Sequence, residues 1–323
     1  MVKIALIGGV SSTLTTLKKM VFHKMEISCV LGYLPKPTEV VSGYIDLEQI
    51  SKNNHIPFKS FRKINDKENI DYLKSKNIDV IFVVGLSQLV NDEILNLPKL
   101  GCIGFHPTLL PRGRGRAPLA WLILEETHGA ANFFLMGQGT DDGPIFIQES
   151  FEVSSEDDAH TIEGKILKAI DQALDIFLPE LKNKRWNPIA QLESDATYYV
   201  KRTPDDGWID WNLNAERIDR IIKASAKPHP KAYTFFNDDL ITINNSRIDK
   251  DLKIKGVIGR VLRATIDEFL IQCGDGLLWV SNIEREGIHY KPKVGQRLGY
   301  YCEKEIYLLK KELKEIKYIL DHR

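Results

Sequence analysis

The chain has 323 residues, 43% hydrophobic and 27% charged, with 44 Lys plus Arg against 44 Asp plus Glu. This is too long for one ordinary domain and comfortable for two; the composition is that of a soluble globular protein, and the zero formal charge lowers the expectation of a large nucleic-acid partner. Cys29, Cys102, Cys273 and Cys302 are scattered with no CxxC pair, which argues against a zinc site or a disulfide scaffold and fits a cytoplasmic protein; no signal peptide is expected, and no apolar run reaches membrane-spanning length.

Residues 2–7 form an apolar run broken by Gly8-Gly9, and Ser11-Ser12-Thr13 can cap a helix through about Phe22. Residues 27–31 read as a second strand, 47–53 as a helix, 55–58 as a short third strand and 68–75 as a helix. The run Val80-Ile81-Phe82-Val83-Val84 is apolar throughout, the pattern of a strand buried on both faces. A helix starts at 91–95 and Pro98 stops it; 102–105 is the next strand, ending at His106. This alternation predicts an α/β fold with a doubly wound, Rossmann-like parallel sheet. Further on, 119–126 reads as a helix, 130–135 and 145–153 as strands, and Ala159–Lys182 as a long amphipathic helix with Ile162, Ile166, Ile170, Leu174 and Phe177 on one stripe. Residues 186–191 and 198–200 begin a linker, and 216–224 is helical. From Tyr233 to about Cys302 short strands with Gly and Asp turns (240–243, 256–263, 269–273, 277–283) predict a small antiparallel β-barrel-like domain, OB-like and open, and 303–320 closes as an amphipathic helix. The predicted domains are 1–199 and 200–323.

The chemistry concentrates in Phe105-His106-Pro107-Thr108-Leu109-Leu110-Pro111-Arg112-Gly113-Arg114-Gly115-Arg116-Ala117-Pro118 and, further on, Thr140-Asp141-Asp142-Gly143. An apolar strand delivering a histidine into a Gly/Pro loop places it at the carboxyl edge of a parallel sheet, where open α/β folds bind ligands. A carboxylate brought to that ring would orient it and favour its protonated form. Asp-Asp-Gly is also an ordinary turn. Arg112, Arg114 and Arg116 read either as a solvated face or as guanidinium forks for phosphate or carboxylate. Gly8-Gly9-Val10-Ser11-Ser12 is a weak candidate for a phosphate loop at a helix start. Trp208 and Trp211 read as packing.

These residues resemble the N10-formyltetrahydrofolate-dependent formyltransferases, whose pattern is Asn-x-His, a Leu-Leu-Pro turn and then Asp-x-Gly. His106, Leu109-Leu110-Pro111 and Asp141-Asp142-Gly143 match it. Arg114-Gly115-Arg116-Ala117-Pro118-Leu119 with Trp121, and Arg202-Thr203-Pro204-Asp205-Asp206 with Ile209-Asp210-Trp211, look most like members that formylate amino sugars on nucleotide carriers, including the domain acting on UDP-4-amino-4-deoxyarabinose. The resemblance runs from about residue 75 to about residue 235.

It implies a Rossmann-like formyltransferase core with a catalytic His106 oriented by Asp141, Asp142 being a turn residue. It implies N10-formyltetrahydrofolate as co-substrate, held by Gly85, Leu86, Ser87, Leu89, Leu109, Leu110, Gly139 and Asp141, with no metal. Gly8, Ser11, Arg114, Arg116 and Arg202 would face a small-molecule amino-sugar substrate; no nucleic acid and no membrane partner is expected, and a homodimer is admitted. One departure stands out: the family Asn is replaced by Gly104. A glycine there is expected to leave space beside the formyl carbon for a bulkier acceptor or for water. Formylation of methionyl-tRNA, hydrolysis of formyltetrahydrofolate and folate binding without turnover remain alternatives.

Overall fold

The computed structural model describes residues 2–39, 41–227, 229–237 and 239–322. The chain divides into two units, 1–202 and 203–323. In chain order the first contains β1 (Lys3–Gly8), α1 (Ser11–Phe22), β2 (Glu26–Tyr33), α2 (Glu48–Asn53), β3 (Phe58–Phe61), α3 (Lys67–Lys74), β4 (Val80–Val83), α4 (Asp92–Leu95), β5 (Cys102–Thr108), β6 (Arg114–Gly115), α5 (Pro118–Glu125), β7 (Gly129–Leu135), β8 (Ile145–Phe151), α6 (Ala159–Lys182) and β9 (Tyr198–Tyr199).

Its main sheet has the order β3-β2-β1-β4-β5-β7-β8. The first five strands are parallel, as the alternating pattern predicts; β7 and β8 run antiparallel to their neighbours, which it does not. A strand buried on both faces has no polar side to show its direction, so the apolar run at 130–135 fits either orientation. The third strand lies three residues later than predicted, because His55 takes a left-handed φ of 55° and Pro57 has no N–H for a ladder. Val80–Val83 is buried at every position, and α6 buries Ile162, Ile166, Ile170, Leu174 and Phe177, the predicted stripe. Phe177 stacks with Phe133 and Phe146, joining α6 to β7 and β8.

The second unit contains α7 (Ala215–Ala224), β10 (Ala232–Phe236), β11 (Asp239–Asp249), β12 (Val261–Ala264), β13 (Glu268–Gln272), β14 (Leu277–Arg285), β15 (Ile288–His289) and α8 (Cys302–Asp321). The antiparallel order β10-β11-β14-β13-β12, with β15 on β14, ends at β10 and β12, so the sheet stays open. β10 lies at the start of the region from Tyr233 that reads as short strands, ahead of the first strand bounded there, 240–243. Trp211 is 3% exposed and donates from Nε1 to Thr234 Oγ1 at 2.9 Å, a packing role, whereas Trp208 is half exposed. No helix among the described residues is long and apolar enough to cross a membrane.

Candidate active site

β5 pairs with β4 as far as Gly104, opposite Val83, and then projects past the end of that strand with only β7 beside it. His106 therefore sits at the carboxyl edge of the parallel strands, inside the strand rather than after it, opposite Asn132 and 4% exposed. Its Nε2 is 2.9 Å from the carbonyl oxygen of Gly113, and its Nδ1 is 3.3 Å from Asp141 Oδ2. A carbonyl only accepts, so the first contact is a hydrogen bond when Nε2 carries the proton. Burial lowers the ring's pKa; the Asp141 charge and the Gly113 carbonyl oppose this and do not reverse it. The expectation that Asp141 makes the ring an imidazolium is thus outweighed by desolvation.

Asp141 has a φ of 50° and accepts a 2.9 Å bond from the Gly115 N–H at Oδ2. The same carboxylate oxygen therefore faces the histidine and ties down the arginine-rich loop. Asp142 is exposed and lies against Gly139, where a side chain would meet it. Two polar side chains that the sequence reading passed over stiffen the strand end. Asn132 is fully buried and donates from Nδ2 to the carbonyls of His106 (2.7 Å), Ala130 (3.1 Å) and Thr108, while Gln148 donates to Asn132 Oδ1 at 2.6 Å and to the Leu110 carbonyl at 3.0 Å. The available signal was an Asn inside an otherwise apolar run.

The segment read as a linker is a strap over the same loop. Ile189 pairs with Ile145, and Gln191 Nε2 donates to the carbonyls of both Asp141 and Gly143 at 2.7 Å. Thr197 Oγ1 accepts from Gly113 N at 2.8 Å, its carbonyl accepts from Arg114 N, and the Tyr199 carbonyl accepts from Arg116 N. Gly113, at φ 74°, has no room for a Cβ because Tyr199 Cε2 would lie 2.6 Å away. Arg114 is 0% exposed: its guanidinium donates to Gln191 Oε1, to Glu193 at 2.9 Å and to Tyr198 Oη at 2.8 Å. Its fork is committed inside the protein, and the expected contact with substrate has no free face.

Residues 5–176 match the formyl transferase family, and residues 201–290 match the formyl transferase C-terminal domain. The chain belongs to the formyl transferase family. It is 33% identical over 224 residues to a methionyl-tRNA formyltransferase of Caldanaerobacter subterraneus subsp. tengcongensis, covering 69% of this chain and 72% of that one. In structure it is similar to an N-formyltransferase from Helicobacter canadensis solved with folinic acid and dTDP-3-aminofucose (TM-score 0.65, 16% identity, 88% of this chain and 100% of that one). It is also similar to HypX from Aquifex aeolicus (TM-score 0.65, 15% identity, 88% of this chain), of whose length it spans 44%. At these identities the structural likenesses are likenesses of fold.

Within this formyl transferase the other candidate residues separate. Gly85, at φ 66°, closes on the loop after β1, where a Cβ would press on the Val10 and Ser12 side chains. Leu86 is half-buried against the sheet core, whereas Ser87 and Leu89 are exposed. Their loop is fastened by Gln88, which donates to the Arg62 carbonyl at 2.6 Å and accepts from Ile64 N at 2.8 Å. Leu110 is buried, Leu109 half-buried and Gly139 exposed. The loop at Gly8 and Ser11 is already closed from within: Thr13 Oγ1 accepts from Gly9 N at 3.0 Å and Val10 N at 3.2 Å, and Ser11 N donates to the Gly43 carbonyl at 3.0 Å. Its weak promise as a phosphate loop loses those amides. Arg116 is exposed, and the Arg202 guanidinium lies 5.9 Å over the Trp121 ring, which stacks on Tyr199 at 5.1 Å and 9°.

Gly104 needs a correction. A Cβ there would lie 2.8 Å from Phe134 Cζ and 2.9 Å from Met136 Cγ. The space that the missing Asn side chain would occupy is filled by these two residues and is not open to acceptor or water. No cluster of three or more His, Cys, Asp or Glu side chains able to hold a metal ion lies among the described residues.

Proposed function

We propose that this formyl transferase moves a formyl group from N10-formyltetrahydrofolate to the primary amine of a small amino sugar carried on a nucleotide. The observation that carries the chemistry is the buried His106 beside the half-buried Asp141, 3.3 Å apart at the carboxyl edge of the sheet. An amine attacks only as the free base, and its surplus proton must leave as the C–N bond forms. A histidine with a lowered pKa is neutral at pH 7; when the amine displaces the Gly113 carbonyl and the ring proton sits on Nδ1, facing Asp141, the bare Nε2 takes that proton. The ring then passes the proton to the departing folate nitrogen. Asp141 steadies the imidazolium during that interval. The oxyanion of the tetrahedral intermediate needs preorganised donors. With Gly104 in place of the Asn and Asn132 Nδ2 committed to three carbonyls, those donors are the His106 ring and loop N–H groups.

The amino-sugar reading is supported by the Arg114–Trp121 and Arg202–Asp206 resemblance, by the exposed Arg116 and the Arg202–Trp121 stack, by charge balance and by the fold shared with a nucleotide-sugar enzyme. A second reading, formylation of methionyl-tRNA, is favoured by the 33% identical relative. The deciding experiment supplies N10-formyltetrahydrofolate with a panel of nucleotide-linked amino sugars and with charged methionyl-tRNA, and follows release of tetrahydrofolate. Turnover with an amino sugar supports the proposal. Turnover with the tRNA alone replaces it, and equal formate release with no acceptor makes the enzyme a hydrolase.

A further inference from the structure

Helix α8 (Cys302–Asp321) has no buried residue, yet it is not polar all round. Ile306, Leu309, Leu313, Ile316 and Leu320 are each more than half exposed. They follow one another at alternating steps of three and four, and Cys302 continues the series one step earlier. A 3.5-residue period sustained along a helix is the seam of a coiled coil, with Cys302, Leu309 and Ile316 at the d positions and Ile306, Leu313 and Leu320 at the a positions. A single helix of this length gains little from its own backbone bonds in water, and an uncovered apolar stripe needs a partner.

We propose that α8 pairs with α8 of a second copy of this chain as a parallel two-stranded coiled coil. The flanking charges identify both the partner and the direction. Glu305 and Glu312 occupy g positions, and Lys310 and Lys317 occupy the e positions five residues after each. In a parallel pair, g of one helix meets the following e of the other, so each Glu meets a Lys on both sides of the seam. An antiparallel pair would set Glu against Glu and Lys against Lys. Self-complementarity in one orientation alone points to an identical partner in parallel register. Cys302, the one exposed thiol among the described residues, then faces its own copy across the seam.

The test uses the full chain. Light scattering on a gel-filtration column should give twice the chain mass, and diamide, which takes up the two thiol hydrogens as the S–S bond forms, should link the dimer through Cys302. Leu309→Lys with Leu313→Lys puts charges in the seam and should raise the dissociation constant about a hundredfold or more, abolishing the cross-link while formyl transfer persists. A second pair of variants guards against simple melting of α8. Glu305→Lys/Glu312→Lys and Lys310→Glu/Lys317→Glu should each be monomeric alone and form a dimer when mixed. A monomeric wild-type chain, a dimer indifferent to Leu309→Lys/Leu313→Lys, or a dimer that diamide does not link at Cys302 overturns the proposal.

Discussion

At the scale of single residues, burial and charge compete at His106, and burial wins. His106→Asn should therefore lower kcat by about a hundredfold or more, the ordinary scale of a lost proton-transfer group, with folate binding retained in equilibrium titration. The acid limb of kcat/KM should lie below 6.5, the ordinary histidine value. Asp141 attracts the proton, so Asp141→Asn should move that limb to still lower pH while cutting kcat; a limb displaced upward would mean that Asp141 acts otherwise. Asn also tolerates the left-handed φ of 50°, so this variant tests charge without backbone strain. Asp142→Asn should leave the rate near wild type, because Asp142 is exposed and lies against Gly139 instead of facing the ring. Linkage runs the same way: a histidine with a lowered folded-state pKa binds its proton better when unfolded, so acidification below 6.5 also works against the fold.

At the scale of elements, the strap from Ile189 to Val200 holds both partners of His106, the Asp141 turn through Gln191 and the Gly113 loop through Thr197. Gln191→Leu keeps the volume and removes the donor to two carbonyls. It should lower kcat several-fold more than it raises the folate dissociation constant, and loss of stability with an unchanged kcat would reduce Gln191 to a structural role. Gly104→Asn should not restore the family arrangement: it overpacks Phe134 and Met136 and should cost about 1–3 kcal/mol in a denaturant midpoint, which Met136→Ala should partly recover. Much of this was legible in the chain. The apolar run at Val80–Val83, the stripe of α6 and the delivery of His106 to the sheet edge all follow from periodicity and from the Gly/Pro loop. The strap was not, because Gln191 and Thr197 carry no periodic or motif signal and act through carbonyls brought near by folding. Arg114 misled for the same reason: a loop arginine reads as solvent-facing until Gln191, Glu193 and Tyr198 are seen around it. The direction of β7, and the filling of the Gly104 niche by Phe134, are tertiary facts with no local trace.

At the scale of the whole molecule, charge distinguishes the two acceptor readings. Lys plus Arg balances Asp plus Glu at 44 each, and the terminal lysines Lys310, Lys311, Lys314 and Lys317 are mixed with Glu312 and Glu315. A tRNA acceptor is gripped through phosphates, and each neutralised phosphate adds to the salt dependence of binding; six to ten such contacts lose roughly 10³–10⁵ in affinity between 50 and 200 mM salt. A nucleotide sugar offers only a diphosphate, which one or two guanidinium groups such as Arg116 can meet. The kcat/KM for the acceptor should therefore fall by no more than about tenfold over that range. Arg116→Ala should flatten the remaining slope while leaving kcat at saturating acceptor unchanged, since a phosphate contact far from the amine binds ground and transition states alike. A thousandfold loss of kcat/KM with salt, with the acid limb of the pH profile unmoved, would reveal a polyanionic acceptor and return the enzyme to the methionyl-tRNA reading.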